Sequence, residues 1–98
     1  MAIQSFRDQA SLDIWDGKDS KAARKALPKT LWSSARDKLD LIDGAMDLLK
    51  DLSTPGLRLK KLMGDQEGRW SIRINEQYRI TFRFDDGNAH DVLVEDYH

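Results

Sequence analysis

The 98-residue chain contains no cysteine, which removes both a disulfide framework and any thiolate metal site from consideration. A reducing, cytoplasmic setting is therefore expected. No stretch approaches the roughly 20 apolar residues that a bilayer-spanning helix requires. The opening residues, Met1 to Asp8, lack the apolar run of an export signal, so neither secretion nor a membrane association is expected. An excess of one charge is also missing: the formal net charge is -1, whereas proteins that grip nucleic acid are usually basic enough to neutralise phosphates. No internal repeat, low-complexity tract or linker divides the chain, and residues 1-98 are expected to form a single domain.

What the chain does contain is a sharp change of pattern. Ile3 to Phe6 reads as a short first strand, and the stretch around Leu12, Ile14 and Trp15 as a brief helix ending at Gly17. Residues Lys18 to Ala26 have good helix propensity. Pro28 sits where a helix begins, at a position that tolerates its missing N–H. From there Leu31, Ala35, Leu39, Ile42 and Met46 recur at helical spacing and predict one apolar face. Ser53-Thr54-Pro55-Gly56 then interrupts the chain, and the second half alternates with the period of strands.

Trp70, Ile72 and Ile74 alternate with Ser71, Arg73 and Asn75; Ile80, Phe82 and Phe84 alternate with Arg79, Thr81 and Arg83. A hairpin must set apolar residues opposite apolar ones. A two-residue turn at Glu76-Gln77 fails that test, because it places Ile74 opposite Arg79. A three-residue connection, Glu76-Gln77-Tyr78, pairs Ile74 with Ile80, Ile72 with Phe82 and Trp70 with Phe84. Arg73, Arg79 and Arg83 then share the opposite face. Asp85-Asp86-Gly87-Asn88 is expected as a turn and Val92-Leu93-Val94 as a last strand. The fold class is α+β, with N-terminal helices packed on one face of a mainly antiparallel sheet and the other face left open and basic. Local charge agrees, since Arg58 to Arg83 holds seven basic residues against three acidic ones.

Gly64-Asp65, Gly68, the run Trp70-Ser71-Ile72-Arg73-Ile74-Asn75, Gln77-Tyr78-Arg79-Ile80 and the terminal Asp96-Tyr97-His98 together resemble the HigB toxins, also described as plasmid-maintenance-system killer proteins, of the RelE superfamily. Ser5-Phe6 ahead of a polar helix extends the likeness to the N-terminus. The resemblance implies a ribosome-dependent endoribonuclease that cuts translated mRNA, needs no cofactor, and is neutralised by a HigA-type helix-turn-helix antitoxin. It places active-site residues at Asp96, Tyr97 and His98 and a catalytic arginine at Arg79.

The residue types suit that chemistry. RNA carries its own nucleophile, the 2′-hydroxyl, so an enzyme need only orient the oxygens, stabilise charge on the phosphate and move two protons. An imidazole with a reference pKa of about 6.5 transfers protons near neutrality, and a guanidinium stays charged and grips two phosphate oxygens. His98 is the candidate proton-transfer group, Asp96 its orienter or proton partner, and Tyr97 a hydroxyl for phosphate or a ring for base stacking. Arg79 is the candidate clamp on the transition state, with Arg73 and Arg83 positioning the RNA backbone. Lys60 departs from the family pattern: some HigB toxins have an active-site histidine there, and lysine can stabilise phosphate but shuttles protons poorly near neutrality. Met63 stands where lysine is common. His90 reads as a surface residue, and two histidines without clustered carboxylates make no metal constellation. Trp15, Trp32 and Trp70 read as packing or antitoxin-facing residues. Two alternatives share the fold: a toxin that binds DNA gyrase without cutting RNA, as the ParE branch does, and an interaction module that has lost its chemistry.

Overall fold

The computed structural model describes residues 2–96; Tyr97 and His98, two of the candidate site residues, lie outside the described residues. Four helices, α1 (Gln9–Asp16), α2 (Lys21–Ala26), α3 (Trp32–Gly44) and α4 (Leu48–Leu52), precede four strands, β1 (Lys60–Lys61), β2 (Trp70–Arg73), β3 (Tyr78–Asp85) and β4 (Asn88–Asp96). The strands form one antiparallel sheet in the order β1-β2-β3-β4. The α+β class with the helices N-terminal to the sheet is as the sequence pattern predicts.

Each helix starts and stops for a local reason. Asp8 caps α1 by accepting from the Ser11 N–H at 2.8 Å, and Gly17, at φ 73°, ends it by donating to Asp13 and Ile14 carbonyls. Ser20 caps α2. A 3-10 turn over Lys29–Leu31 follows Pro28 and leads into α3. Ala35, Leu39 and Ile42 of α3 are fully buried, as their spacing predicts, but Met46 is 84% exposed. The reason is that α3 stops at Gly44 and Ala45 turns to extended backbone; the helical period no longer applies two residues later, and Ala45 takes the buried place instead.

Ile3 to Phe6 forms no strand of its own. It touches β4 at two isolated parallel bridges, Ile3 with Ala89 and Phe6 with Val92. Its backbone nevertheless serves β4: Gln4 and Arg7 N–H groups donate to the Ala89 and Val92 carbonyls, and the Ala2 and Ser5 carbonyls accept from Ala89 and Val92 N–H groups. The Ser11 hydroxyl of α1 accepts from the Val94 N–H at 2.9 Å. The outer edge of the sheet is thereby covered rather than left as a template for another chain.

The β2–β3 hairpin sits two residues from the predicted register. Trp70 opposes Phe82, Ile72 opposes Ile80 and Arg73 opposes Arg79, so the connection is Asn75-Glu76-Gln77. The Asn75 side-chain oxygen accepts from the Gln77 and Tyr78 N–H groups at 2.9 and 2.8 Å, which closes the turn one residue earlier on each strand. A shift of two preserves parity, and every residue keeps its predicted face. The β3–β4 turn is tighter: Asp86 (φ 55°) and Gly87 (φ 80°) are both left-handed, the backbone that joins twisted strands with two residues.

β4 is longer than the predicted Val92-Leu93-Val94 and contains a bulge. Thr81 opposes Leu93 but Arg83 opposes His90, so Asp91 and Val92 together face Phe82. Asp91 takes the left-handed conformation, φ 52°. The extra residue lets Ala89, Val92 and Val94 all reach the core, where they meet Ile72, Ile80 and Phe82 from the sheet and Ile14, Leu27, Ala35, Leu39, Ile42 and Leu52 from the helices. Burying each large side chain there contributes about 2 kcal/mol. Trp32 joins this core and donates its indole N–H to the Leu27 carbonyl at 2.8 Å. Among the described residues no helix is long and apolar enough to cross a membrane.

Candidate functional site

The helix layer leaves the second face of the sheet to the residues of opposite parity. Two adjacent rows cross it. One runs Lys60, Ser71, Thr81, Leu93; the next runs Arg73, Arg79, Glu95. Arg83 continues beyond Thr81, opposite His90.

This face is not the uniformly basic surface that the alternation suggests. Arg79 Nη2 donates to Glu95 Oε1 at 3.1 Å, with the two side chains 14% and 19% exposed. Thr81, fully buried, donates its hydroxyl to Glu95 Oε2 at 2.7 Å and accepts from Arg69 Nη2 at 2.9 Å. Arg69 Nη2 also donates to the Asp91 carbonyl at 2.8 Å, an acceptor that the bulge turns toward it. Arg83 closes the row by donating Nε and Nη2 to Asp91 Oδ2, at 3.1 and 2.9 Å. Cations and carboxylates alternate because β4 supplies Asp91 and Glu95 opposite the arginines of β3. A half-buried guanidinium held in this way is preorganised toward an incoming anion at little entropic cost.

The predicted residues distribute as follows. Arg73, Arg79 and Arg83 share the face, with Arg73 and Arg79 directly opposite each other. Lys60 is exposed and on the same face, two strands from Thr81, roughly 10 Å at the usual interstrand spacing. Asp96 opposes Tyr78, so the pleat turns it to the other side from Arg79; it is exposed and accepts from Gln77 Nε2 at 3.3 Å. Tyr97 and His98 lie outside the described residues. His90 is half-exposed beside Arg83's strand position.

Two members of the network escape a reading based on local motifs. Glu95 was legible in principle: pairing Val94 with Ile80, apolar to apolar, puts Glu95 against Arg79. Arg69 was not, because it precedes β2 and its burial depends on the bulge two strands away. Burial, and next the neighbouring Arg7 cation, lower the Arg69 pKa from its ordinary value. Among the described residues no group of three or more histidine, aspartate or glutamate side chains is placed to hold a metal ion.

Residues 4–98 match the family described as the HigB-like toxin, the RelE-like toxin of the type II toxin-antitoxin system HigB. A protein of Proteus vulgaris named Endoribonuclease HigB is 36% identical over 96 residues, covering 98% of this chain and 99% of that one. Toxin HigB-1 of Vibrio cholerae serotype O1 is 33% identical over 89 residues, covering 91% and 90%. Among solved structures, YoeB of Staphylococcus aureus in its complex with YefM superposes with a TM-score of 0.59 at 16% identity, covering 100% of this chain and 99% of that one. The YoeB dimer of the same organism gives 0.59 at 19%, with the same coverage. At such identities these two structures bear on the fold alone.

Proposed function

Because the chain belongs to the HigB-like family of RelE-type toxins of type II toxin-antitoxin systems, we propose that it is an endoribonuclease that cuts mRNA on the translating ribosome, using the sheet face around Arg79 and the C-terminal residues. The observation that carries this reading is the Arg79 guanidinium, held by Glu95 on the helix-free face within a chain that matches the family over nearly its full length. The name of the Proteus vulgaris relative supports RNA cleavage as the activity.

In this reading the 2′-oxygen attacks the adjacent phosphorus. The bond to the 5′-oxygen breaks, leaving a cyclic phosphate and a 5′-hydroxyl. Arg79 binds the non-bridging oxygens as negative charge grows on them, exchanging part of its contact with Glu95 for the phosphate. Lys60 adds positive charge from β1. His98 carries the proton at a reacting oxygen, and Tyr97 bonds the phosphate or stacks on a base; Asp96, turned to the other side of the sheet from Arg79, is assigned no contact with that phosphate. Arg73 and Arg83 hold the strand. The single domain acts in the cytoplasm, without metal or cofactor, and a HigA-type helix-turn-helix antitoxin neutralises it.

The test is to map 5′ ends of a translated message after induction, beside a copy that lacks a ribosome-binding site. Cleavage confined to the translated copy and lost in Arg79→Gln is the expected result. Toxicity that persists in Arg79→Gln and His98→Ala, with both messages intact, refutes the reading and favours a toxin that acts by binding.

A further inference from the structure

Beyond the Arg79 network, the face continues into a cleft of about 480 Å³ between the N-terminal segment and the turn before β2, lined by Arg7, Arg69 and Arg83 and by Asp65, Glu67 and Asp91. Arg69 is the unusual member. It is 7% exposed, yet among the described residues it forms no ion pair, and its two hydrogen bonds go to neutral oxygens of Thr81 and Asp91, both from Nη2. Its Nε is buried without a partner among the described residues, and Nη1 donates to no protein group there.

A buried cation with unsatisfied donors is costly unless an anion completes it. The Glu95 and Asp91 carboxylates favour the charge on Arg69 only through space, behind the opposing effects of burial and Arg7, and neither accepts a hydrogen bond from it. The Asp91 carboxylate is engaged by Arg83, and Asp65 and Glu67, which also line the cleft, form no ion pair with Arg69 or Arg7 among the described residues. A second cation is present instead: Arg7 repels the charge on Arg69 and its own guanidinium has no partner among the described residues. Arg7 and Arg69 thus line one cleft with no carboxylate hydrogen-bonded to either, although Asp65, Glu67 and Asp91 share its lining, and a guanidinium with open donors takes a phosphate oxygen readily.

We propose that this cleft binds a backbone phosphate of single-stranded RNA, one that lies beyond the nucleotide held at Arg79. The proposal rests on the RNA-cleaving reading above and adds a second contact to it. Arg69 connects to Arg79 through Thr81 and Glu95, so one strand of RNA can meet both. From Arg79 to Arg83 the strand advances four residues, about 13 Å, which leaves room for more than one nucleotide.

The experiment uses the full chain and a labelled 2′-O-methyl oligonucleotide, which cannot be cut. Binding is followed by anisotropy across a range of salt concentrations, with inorganic phosphate in a parallel thermal-shift arm. Arg7→Gln, on an exposed side chain, is expected to weaken oligonucleotide binding about five- to tenfold at moderate salt and to reduce the salt slope by about 0.7, the contribution of one phosphate on a single strand. Arg69→Gln does the same; its folding is checked by thermal denaturation, and Arg7→Gln carries the test alone if it unfolds. Lys25→Gln, an equal loss of charge on α2, leaves the slope unchanged. Unchanged affinity and slope in Arg7→Gln overturn the proposal. So does a phosphate-induced stabilisation that Arg7→Gln abolishes while oligonucleotide binding persists, which marks a free-phosphate site. Cleavage measured alongside separates the two readings. Arg7-dependent binding without wild-type cleavage removes the nuclease assignment and keeps the cleft; Arg79-dependent cleavage with Arg7→Gln silent in binding removes the cleft alone.

Discussion

Arg79 and Glu95 meet across β3 and β4 at 3.1 Å, and Thr81 fixes the second carboxylate oxygen of Glu95 at 2.7 Å. The carboxylate therefore has two tasks: it compensates a half-buried cation, and it sets the direction in which that cation points. A phosphate approaching the face competes for the same guanidinium donors. If Arg79 grips the scissile phosphate, as proposed, Glu95 is the residue that positions it.

Unequal losses follow from this pair. Arg79→Gln should lower cleavage of translated mRNA by about 10²- to 10³-fold, the usual effect of deleting one donor to a charged transition state. Glu95→Gln keeps the hydrogen bond and loses the charge, so its rate should fall by no more than about tenfold. The double variant should be no slower than Arg79→Gln alone, because Glu95 acts through Arg79. Single-turnover rates of the four proteins measure the coupling, and strictly multiplicative losses would show two independent contributions.

His98 offers a separate test. If it moves a proton at a reacting oxygen, His98→Ala should cost about 10²- to 10⁴-fold in rate. An alanine variant as active as the wild type would exclude His98 from the chemistry. Antitoxin binding measured on the same preparations separates lost chemistry from lost folding.

The faces of β2 and β3 were legible because alternation of Trp70, Ile72, Ile80 and Phe82 leaves no other way to bury them, and a register shift of two residues does not alter a face. The register itself was not, since Asn75 decides it through two side-chain hydrogen bonds that alternation does not encode. The charge balance of the functional face was hidden for a related reason. Arg73, Arg79 and Arg83 are visible as a set on one hairpin, whereas Asp91 and Glu95 reach them only through the pairing of β4 and its bulge. Met46 shows the converse error, a helical period extended past the residue where the helix ends.

Asn75 provides a direct check on that account. Asn75→Ala removes the acceptor for the Gln77 and Tyr78 N–H groups and should destabilise the protein by about 1–2 kcal/mol in urea denaturation. Asn75→Asp retains an acceptor and should cost less. Because the turn holds Arg73 opposite Arg79, Asn75→Ala should also slow cleavage under conditions where the protein remains folded. Full stability of the alanine variant would mean that strand pairing alone sets the register.

Asp13 makes a prediction about pH. Its carboxylate is almost inaccessible and accepts from Gln9 Nε2 at 2.8 Å and from the Ser20 hydroxyl at 2.7 Å, joining α1 to the cap of α2. The Gln9 bond, then the Ser20 bond, lower its pKa from the ordinary value of 3.8, against the opposing effect of burial. A carboxylate whose folded pKa is depressed stabilises the fold above its unfolded pKa, and that contribution disappears as pH falls through the folded value. Asp13→Asn removes the titrating group and places a donor where two donors already converge. Its stability deficit against the wild type should therefore be largest near pH 6 and shrink steadily toward pH 2, as the wild-type carboxylate takes up a proton. Urea denaturation of both proteins across that range measures the gap; a deficit independent of pH would show that the carboxylate's charge contributes nothing and that shape alone fixes the α1–α2 junction.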